Sequence, residues 1–309
     1  MRVLLIHNPK AGDGKHDKKQ LMASLTRYGH HALYQSIKER GWKKVLKKPV
    51  DLVIAAGGDG TVQKTAWEIM GSDVPLAIFP LGTANNLARS FGFTASIHEI
   101  AQSLDCAKRA PFDIGVGRNG SQCRYFLEAA GGGLFADYFP AAAATKKERA
   151  SAEEELAAHV SFLRDLALDY PARDWKMNID GEHISGRFIL WGAMNIRSAG
   201  PALHLASAAA TDDGRLDFVA VREEDRDLIV KYLDARLAGR KADVALKPRR
   251  FRQLKITGRH RAMHLDGKAW PTRKENANRR RTVEIPVKSA ALIIWRPRAV
   301  TRMRRETAI

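Results

Sequence analysis

The stretch that most constrains this chain is Gly57-Gly58-Asp59-Gly60-Thr61. It ends an apolar run, Val50-Asp51-Leu52-Val53-Ile54-Ala55-Ala56, that has the length of a buried strand. Val62 to Met70 follows, with apolar residues at helical spacing. A strand, a glycine-rich turn and a helix start form a phosphate-binding arrangement. Glycines let the backbone approach a bulky anion, and the new helix points its unpaired N–H groups there. Asp59 would repel a bare phosphate, so its place inside the loop implies a cation between the two. Alone, the pentapeptide also reads as a tight turn.

A second turn removes much of that ambiguity. Val74-Pro75-Leu76-Ala77-Ile78-Phe79 runs into Pro80-Leu81-Gly82-Thr83-Ala84-Asn85-Asn86-Leu87-Ala88-Arg89, again strand, Gly/Thr turn and helix. Two such turns at the carboxyl ends of successive strands line one edge of a sheet, where open α/β folds bind ligands.

The remainder of the chain is consistent with two domains. It has 309 residues, 45% hydrophobic, and no apolar run of membrane-spanning length. Met1 to His7 is too short for a secretory leader and flows into a polar loop, as a first strand does. Cys106 and Cys123 lack metal-ligand spacing, so a reduced, cytoplasmic setting is expected. The charge is the outlying quantity: 52 Lys and Arg against 34 Asp and Glu give +18. Basic residues crowd the end, at Arg249-Arg250, Arg279-Arg280-Arg281, Arg296, Arg298, Arg302 and Arg304-Arg305. No nucleic-acid module accompanies them, so the expected partner is an anionic membrane surface, with peripheral attachment, rather than a specific nucleic acid. A homo-oligomer is compatible with the sequence.

Along the chain, strands are expected at Arg2–His7 and His31–Ser36, a helix at about His16 to Tyr28, and a short basic helix up to Lys48. Asn8 to Lys15 starts like a Walker loop but lacks its Gly-Lys-Ser/Thr ending. Alternating β and α units predict a parallel sheet covered on both sides. From Arg109 to Gly115 the rhythm changes. Ile114–Val116 and Cys123–Ala129 read as strands paired through the Arg118-Asn119-Gly120-Ser121 turn, and Glu153 to Leu168 as a helix with an acidic start. Short alternating segments follow at 175–179, 185–191, 216–221, 253–257, 262–265, 282–287 and 290–295. The fold class is therefore α/β: a nucleotide-binding α/β domain over 1–110, then a β-sandwich-like domain over 111–295. Residues 296–309 form a basic tail that either returns to the first domain or stays loose. His7, His204 and His264 fall in apolar strand contexts and read as packed histidines.

Asn8-Pro9-x-x-Gly12, Gly57 to Thr61, Pro80 to Arg89, Asp213-Gly214-x-Leu216-Asp217 and Asp266-Gly267 occur in an order that resembles the diacylglycerol kinase catalytic-domain family. These are bacterial lipid kinases related to sphingosine kinases and, more distantly, NAD kinases. The resemblance covers almost the full length. It implies ATP- and Mg²⁺-dependent phosphate transfer to a diacylglycerol-like lipid, with the active site between the two domains. It assigns the nucleotide phosphates to Asn8, Gly57, Gly58, Gly60 and Thr61, with Thr83 and Asn85 lining the same pocket and Ser36 near the nucleoside. It places Asp59 and Asp213 at the Mg²⁺ site and makes Asp113 a supporting carboxylate. Lys10, Lys15 and Lys18 lie near the phosphate edge and can add positive charge.

The family's final motif is usually Asp-Gly-Glu, its glutamate taking the lipid hydroxyl proton; here it is Asp266-Gly267-Lys268. A lysine ammonium has no lone pair to accept a proton. Gln63-Lys64 stands where relatives often have Asn-Glu, and Phe135 where they often have Asp. In one reading Asp59, Asp213 or Asp266 is the base, or the proton leaves on a phosphate oxygen, since a loose transition state asks little of a base. In the other, the chain binds nucleotide and lipid without turnover. Asp59, Asp213, Asp266 and Lys268 are thus the catalytic candidates.

Overall fold

The structure, a computed structural model, describes residues 1–12, 16–145, 151–240, 242, 244–258, 263–271 and 281–297. Lys15, Arg279, Arg280, Arg298 and the basic residues after it lie outside the described residues.

The first part alternates β1 (Arg2–His7), α1 (Lys18–Thr26), β2 (His31–Ser36), β3 (Leu52–Gly57), α2 (Asp59–Ile69) and β4 (Leu76–Pro80). The four strands are parallel, in the order β2-β1-β3-β4. Every residue of β3 is buried, as expected for a strand covered on both faces. Each large apolar side chain there contributes roughly 1.5–3 kcal/mol through burial. α1 starts where Asp17 and Gln20 form a reciprocal capping box. The basic segment before Lys48 is not an α-helix but one 3₁₀ stretch, Trp42–Lys47, with no buried residue to anchor a longer helix.

Two short helices, α3 (Asn86–Phe91) and α4 (Ile97–Ser103), lead into β5 (Lys108–Asn119), β6 (Gln122–Phe126) and β7 (Ala129–Gly133). β5 and β6 form the expected hairpin, with Asn119 opposite Gln122. Next come α5 (Leu134–Ala144), α6 (Ala152–Asp169), β8 (Arg173–Ile179), β9 (Glu182–Met194), β10 (Ser198–Ala199), β11 (Leu203–His204) and β12 (Leu216–Arg222). The chain continues through α7 (Arg226–Leu237), β13 (Arg249–Phe251), β14 (Gln253–Gly258), β15 (Met263–Leu265), β16 (Lys268–Ala269) and β17 (Arg281–Arg296). This part is antiparallel, in the path β16-β15-β7-β9-β8-β14-β17, with β12 on β9.

β17 joins the two halves. The expected strands 282–287 and 290–295 are one 16-residue strand with a register shift between Lys288 and Leu292, at which Ala290 takes φ +48°. It pairs antiparallel with β14 and β5, and its end pairs parallel with β4 at Ile294–Leu76. Arg296, the first residue of the expected tail, is still in register with Lys108. Ala291, Leu292 and Ile294 complete the apolar core of the first half, and Pro111 falls inside β5. Two further apolar clusters fill the second half, one among α5, α6 and α7 and one between the antiparallel strands.

Candidate active site

Both glycine turns sit at the carboxyl ends of β3 and β4, which pair through Gly57 and Pro80. The turns touch: a methyl group built on Gly82 would overlap the Cα of Gly58. Glycine at 58 and 82 is therefore a packing requirement at a point where two backbones cross. Asn85, at φ +49°, closes the second turn on itself, accepting the Gly82 N–H at 2.9 Å and donating to the Gly82 carbonyl at 2.6 Å. The loop after β1 packs over this turn, where a Cβ on Gly12 would sit 2.8 Å from the Leu81 carbonyl oxygen.

These loops enclose a cavity of about 730 Å³. Asn8, Gly58, Gly60, Thr61 and Thr83 line it, as do Lys10, Lys38, Lys64 and Lys268. The N-terminus of α2 opens onto it through Gly58, Gly60 and Thr61. Among the described residues, four lysines against one carboxylate, Glu155, make this an anion-attracting cleft. Glu155 comes from α6, whose start (Ser151, Ala152) forms a wall, and its Oε2 accepts the Thr83 hydroxyl at 2.6 Å.

Other residues assigned to the nucleotide do not reach the lining. Gly57 lies beneath Thr61, whose side chain fills the space a Cβ would need. Ser36 is buried and accepts the Lys38 N–H, so Ile37 and Lys38 face the cavity instead. Asn85 organises its own turn. Lys18 stands over the Tyr34 ring, 4.7 Å from its centroid.

Behind Gly60 is a carboxylate cluster in which Glu128 is buried and Asp59 and Asp266 are half-buried. Asp59 accepts the Asn86 N–H at 3.0 Å and the Leu87 N–H at 2.9 Å, fastening the start of α3 to the start of α2. Asp266, at φ +47°, accepts the N–H groups of Leu127, Glu128 and Ala129 at 2.8, 2.8 and 3.1 Å. Between them lies Glu128, which accepts Gln63 Nε2 and Asn86 Nδ2, both at 3.0 Å. Burial raises the Asp59 carboxyl above its usual range and lifts that of Asp266 to about 6. Glu128 is raised well above its usual value by burial first, then by the Asp59 and Asp266 charges. His264, packed beside Phe135 and Phe139, is held neutral by burial, which lowers it to about 3. His7 is also buried, its ring 3.0 Å from the Tyr34 hydroxyl. His204 is not packed; it is exposed on the short β10–β11 ribbon, which has one outward face.

Asp213 has different neighbours. Its Oδ1 accepts the Arg215 N–H, its Oδ2 is 3.8 Å from Arg250, and it lines neither the nucleotide cavity nor the carboxylate cluster's cavity. Asp113 accepts the Gly214 N–H at 2.6 Å and the Ala290 N–H at 2.7 Å, tying the Asp213 turn to the kink of β17. Among the described residues no group of three or more His, Cys, Asp or Glu is arranged to hold a metal ion. Both Asp59 oxygens accept backbone N–H groups, and Asp213 is turned toward Arg215 and Arg250. Lys268 lines the cavity between the glycine turns and both cavities beside it. Sequence reasoning passed over Glu128 and Glu155 as site residues. For Glu128 the signal was present: it is the one charged residue within the apolar, glycine-rich run 126–133.

Two family models match in tandem: the diacylglycerol kinase catalytic domain over residues 2–116 and the YegS C-terminal NAD kinase beta sandwich-like domain over 139–278. The chain is thus similar to diacylglycerol kinases in its first part and to YegS-type lipid kinases in its later part. It is 32% identical over 167 residues to a probable lipid kinase YegS-like of Pseudomonas fluorescens, a match covering 53% of each chain. It is 25% identical over 250 residues to the diacylglycerol kinase of Bacillus subtilis, covering 77% of this chain and 79% of that one. The chain spans about half the length of the first of these relatives. A crystal structure of a diacylglycerol kinase from Bacillus anthracis superposes with a TM-score of 0.67 at 21% identity, covering 97% of this chain and 98% of the other, which supports the fold.

Proposed function

We propose that this chain is an ATP- and Mg²⁺-dependent lipid kinase that transfers the γ-phosphate to the hydroxyl of a diacylglycerol-like lipid. The observation that carries the reading is the pair of touching glycine turns over one lysine-lined cavity, a cradle for a polyphosphate. Gly58, Gly60 and Thr61 present the start of α2 to the phosphates, and Asn8 and Thr83 border them. Lys268 faces the point where the nucleotide cavity meets the next one, and its ammonium neutralises the phosphoryl group as it passes. Bound Mg²⁺, with phosphates as most of its ligands, would supply charge neutralisation at the phosphates.

The lipid side is the groove lined by Trp67, Tyr125, Leu265 and Trp270, which opens beside Lys268. Residues 1–110 supply most of the nucleotide cavity, joined by Glu155 and Lys268, and residues 111–295 supply most of the acyl groove, joined by Gln63 and Trp67. No helix among the described residues is long and apolar enough to cross a membrane, so the lipid is reached from the bilayer surface, to which the +18 charge draws the chain. The test is incubation of the purified chain with labelled ATP, Mg²⁺ and a total lipid extract. A labelled lipid that disappears with Gly82→Ala supports the reading; label released only as inorganic phosphate, or none transferred, overturns it.

A further inference from the structure

We propose that Glu128 is the general base: the acceptor hydroxyl docks between Glu128 and Asn86 and gives its proton to the Glu128 carboxylate. This rests on the kinase reading above. The cavity holding Glu128, about 250 Å³, shares Gly60 and Lys268 with the nucleotide cavity. It shares Gln63, Asp266 and Lys268 with the aromatic groove. An alcohol whose apolar part fills the groove thus brings its hydroxyl to this cavity, next to the phosphate end of the nucleotide.

Three carboxylates line the cavity, and two are committed to the backbone. Asp59 holds two N–H groups and Asp266 three, so each is a structural clamp. Glu128 is held by the side-chain amides of Gln63 and Asn86, with no backbone N–H on its oxygens. Asn86 supplies an independent sign of a ligand: its Oδ1 is buried without a hydrogen-bond partner, in a residue only 2% exposed that lines the cavity. That free acceptor marks polar space for a bound ligand or its water beside the hydroxyl, whose single proton goes to Glu128. His264 is no rival, because burial makes it a weak base and its Nδ1 lone pair faces the Gly267 N–H at 3.4 Å.

The step balances. The lipid O–H bond breaks with its proton passing to a Glu128 oxygen, the lipid oxygen forms a bond to the γ-phosphorus of ATP, and the P–O bond to ADP breaks. Asp59 and Asp266 face Glu128 with negative charge, and Lys268, whose charge acts on Asp266, is the cation on this cavity's lining. Taking a proton relieves the crowding of the three carboxylates, which favours Glu128 as acceptor.

The experiment compares wild type, Glu128→Gln and Glu128→Asp with labelled ATP and a short-chain diacylglycerol in mixed micelles, from pH 5 to 9. Glu128→Gln is expected to lower kcat about 10²-fold. Its KM for ATP should stay within threefold, and the acid limb of the pH profile should vanish. Glu128→Asp should keep that limb but move it. A kcat within threefold of wild type in Glu128→Gln overturns the assignment while leaving the kinase reading intact. If Glu128→Gln fails to bind ATP, an acid limb unmoved in Glu128→Asp overturns it equally. Wild type inactive on this lipid and on a total extract overturns the kinase reading itself.

Discussion

Asp266→Asn separates charge from hydrogen bonding at the turn before Lys268. The position has φ +47°, and asparagine tolerates this left-handed backbone better than most residues. Its Oδ1 can keep the Glu128 and Ala129 N–H groups, but its amide nitrogen then faces the Leu127 N–H, now held at 2.8 Å by the second carboxylate oxygen. One buried donor left unpaired costs about 1–3 kcal/mol. Against that stands the burial of a charge. The Asp266 carboxyl is lifted from 3.8 to about 6, and at about 1.4 kcal/mol per unit the ionised form costs about 3 kcal/mol of stability. The sign follows from a folded-state pKa above the unfolded one: the stabilisation is complete below about pH 4 and is lost as pH rises through 6. Asparagine never ionises and so escapes the loss. Urea melts should therefore show the variant less stable than wild type by about 1–3 kcal/mol at pH 4, with the gap closing or reversing at pH 7.5. A stability difference independent of pH would refute the reasoning, because it would mean that Asp266 carries no buried charge.

Other consequences follow from the same geometry. Gly82→Ala places a methyl group against the Gly58 Cα, so Mg-ATP affinity measured by calorimetry should fall at least about tenfold, equivalent to about 1.4 kcal/mol; unchanged affinity would detach the turns from the nucleotide. Lys268→Glu adds a carboxylate beside Asp266 and removes a cation from the phosphate path, so kcat should fall; a rise would restore the glutamate as base and count against Glu128. Flotation should recover the chain on vesicles with anionic lipid, less so in high salt, and equal recovery on neutral vesicles would remove the electrostatic argument.

The two glycine turns were legible because their constraint is local. Gly58 and Gly82 must lack a Cβ, and the strands before them are continuous apolar runs. The carboxylate cluster was not legible as a cluster, because Asp59, Glu128 and Asp266 meet only through the path of β7 and β15. Glu155 reaches Thr83 across 72 residues, a closeness that no local pattern encodes. α5 was hidden because it is apolar nearly throughout and contains Pro140, which leaves no amphipathic period to read. α7 did carry a readable stripe, with Ile229, Tyr232 and Leu233 at helical spacing, within a run rich in charge. The break in β17 at Ala290 looked like a turn between two strands, and only pairing on both sides shows one strand with a kink.

The most direct measurement is a crystal structure of the chain grown with Mg²⁺ and a non-hydrolysable ATP analogue. The triphosphate should lie between the 58–61 and 82–83 turns, its terminal phosphate facing Lys268 and the mouth of the Glu128 cavity. Phosphates bound elsewhere, or an empty cradle at saturating nucleotide, would contradict the account.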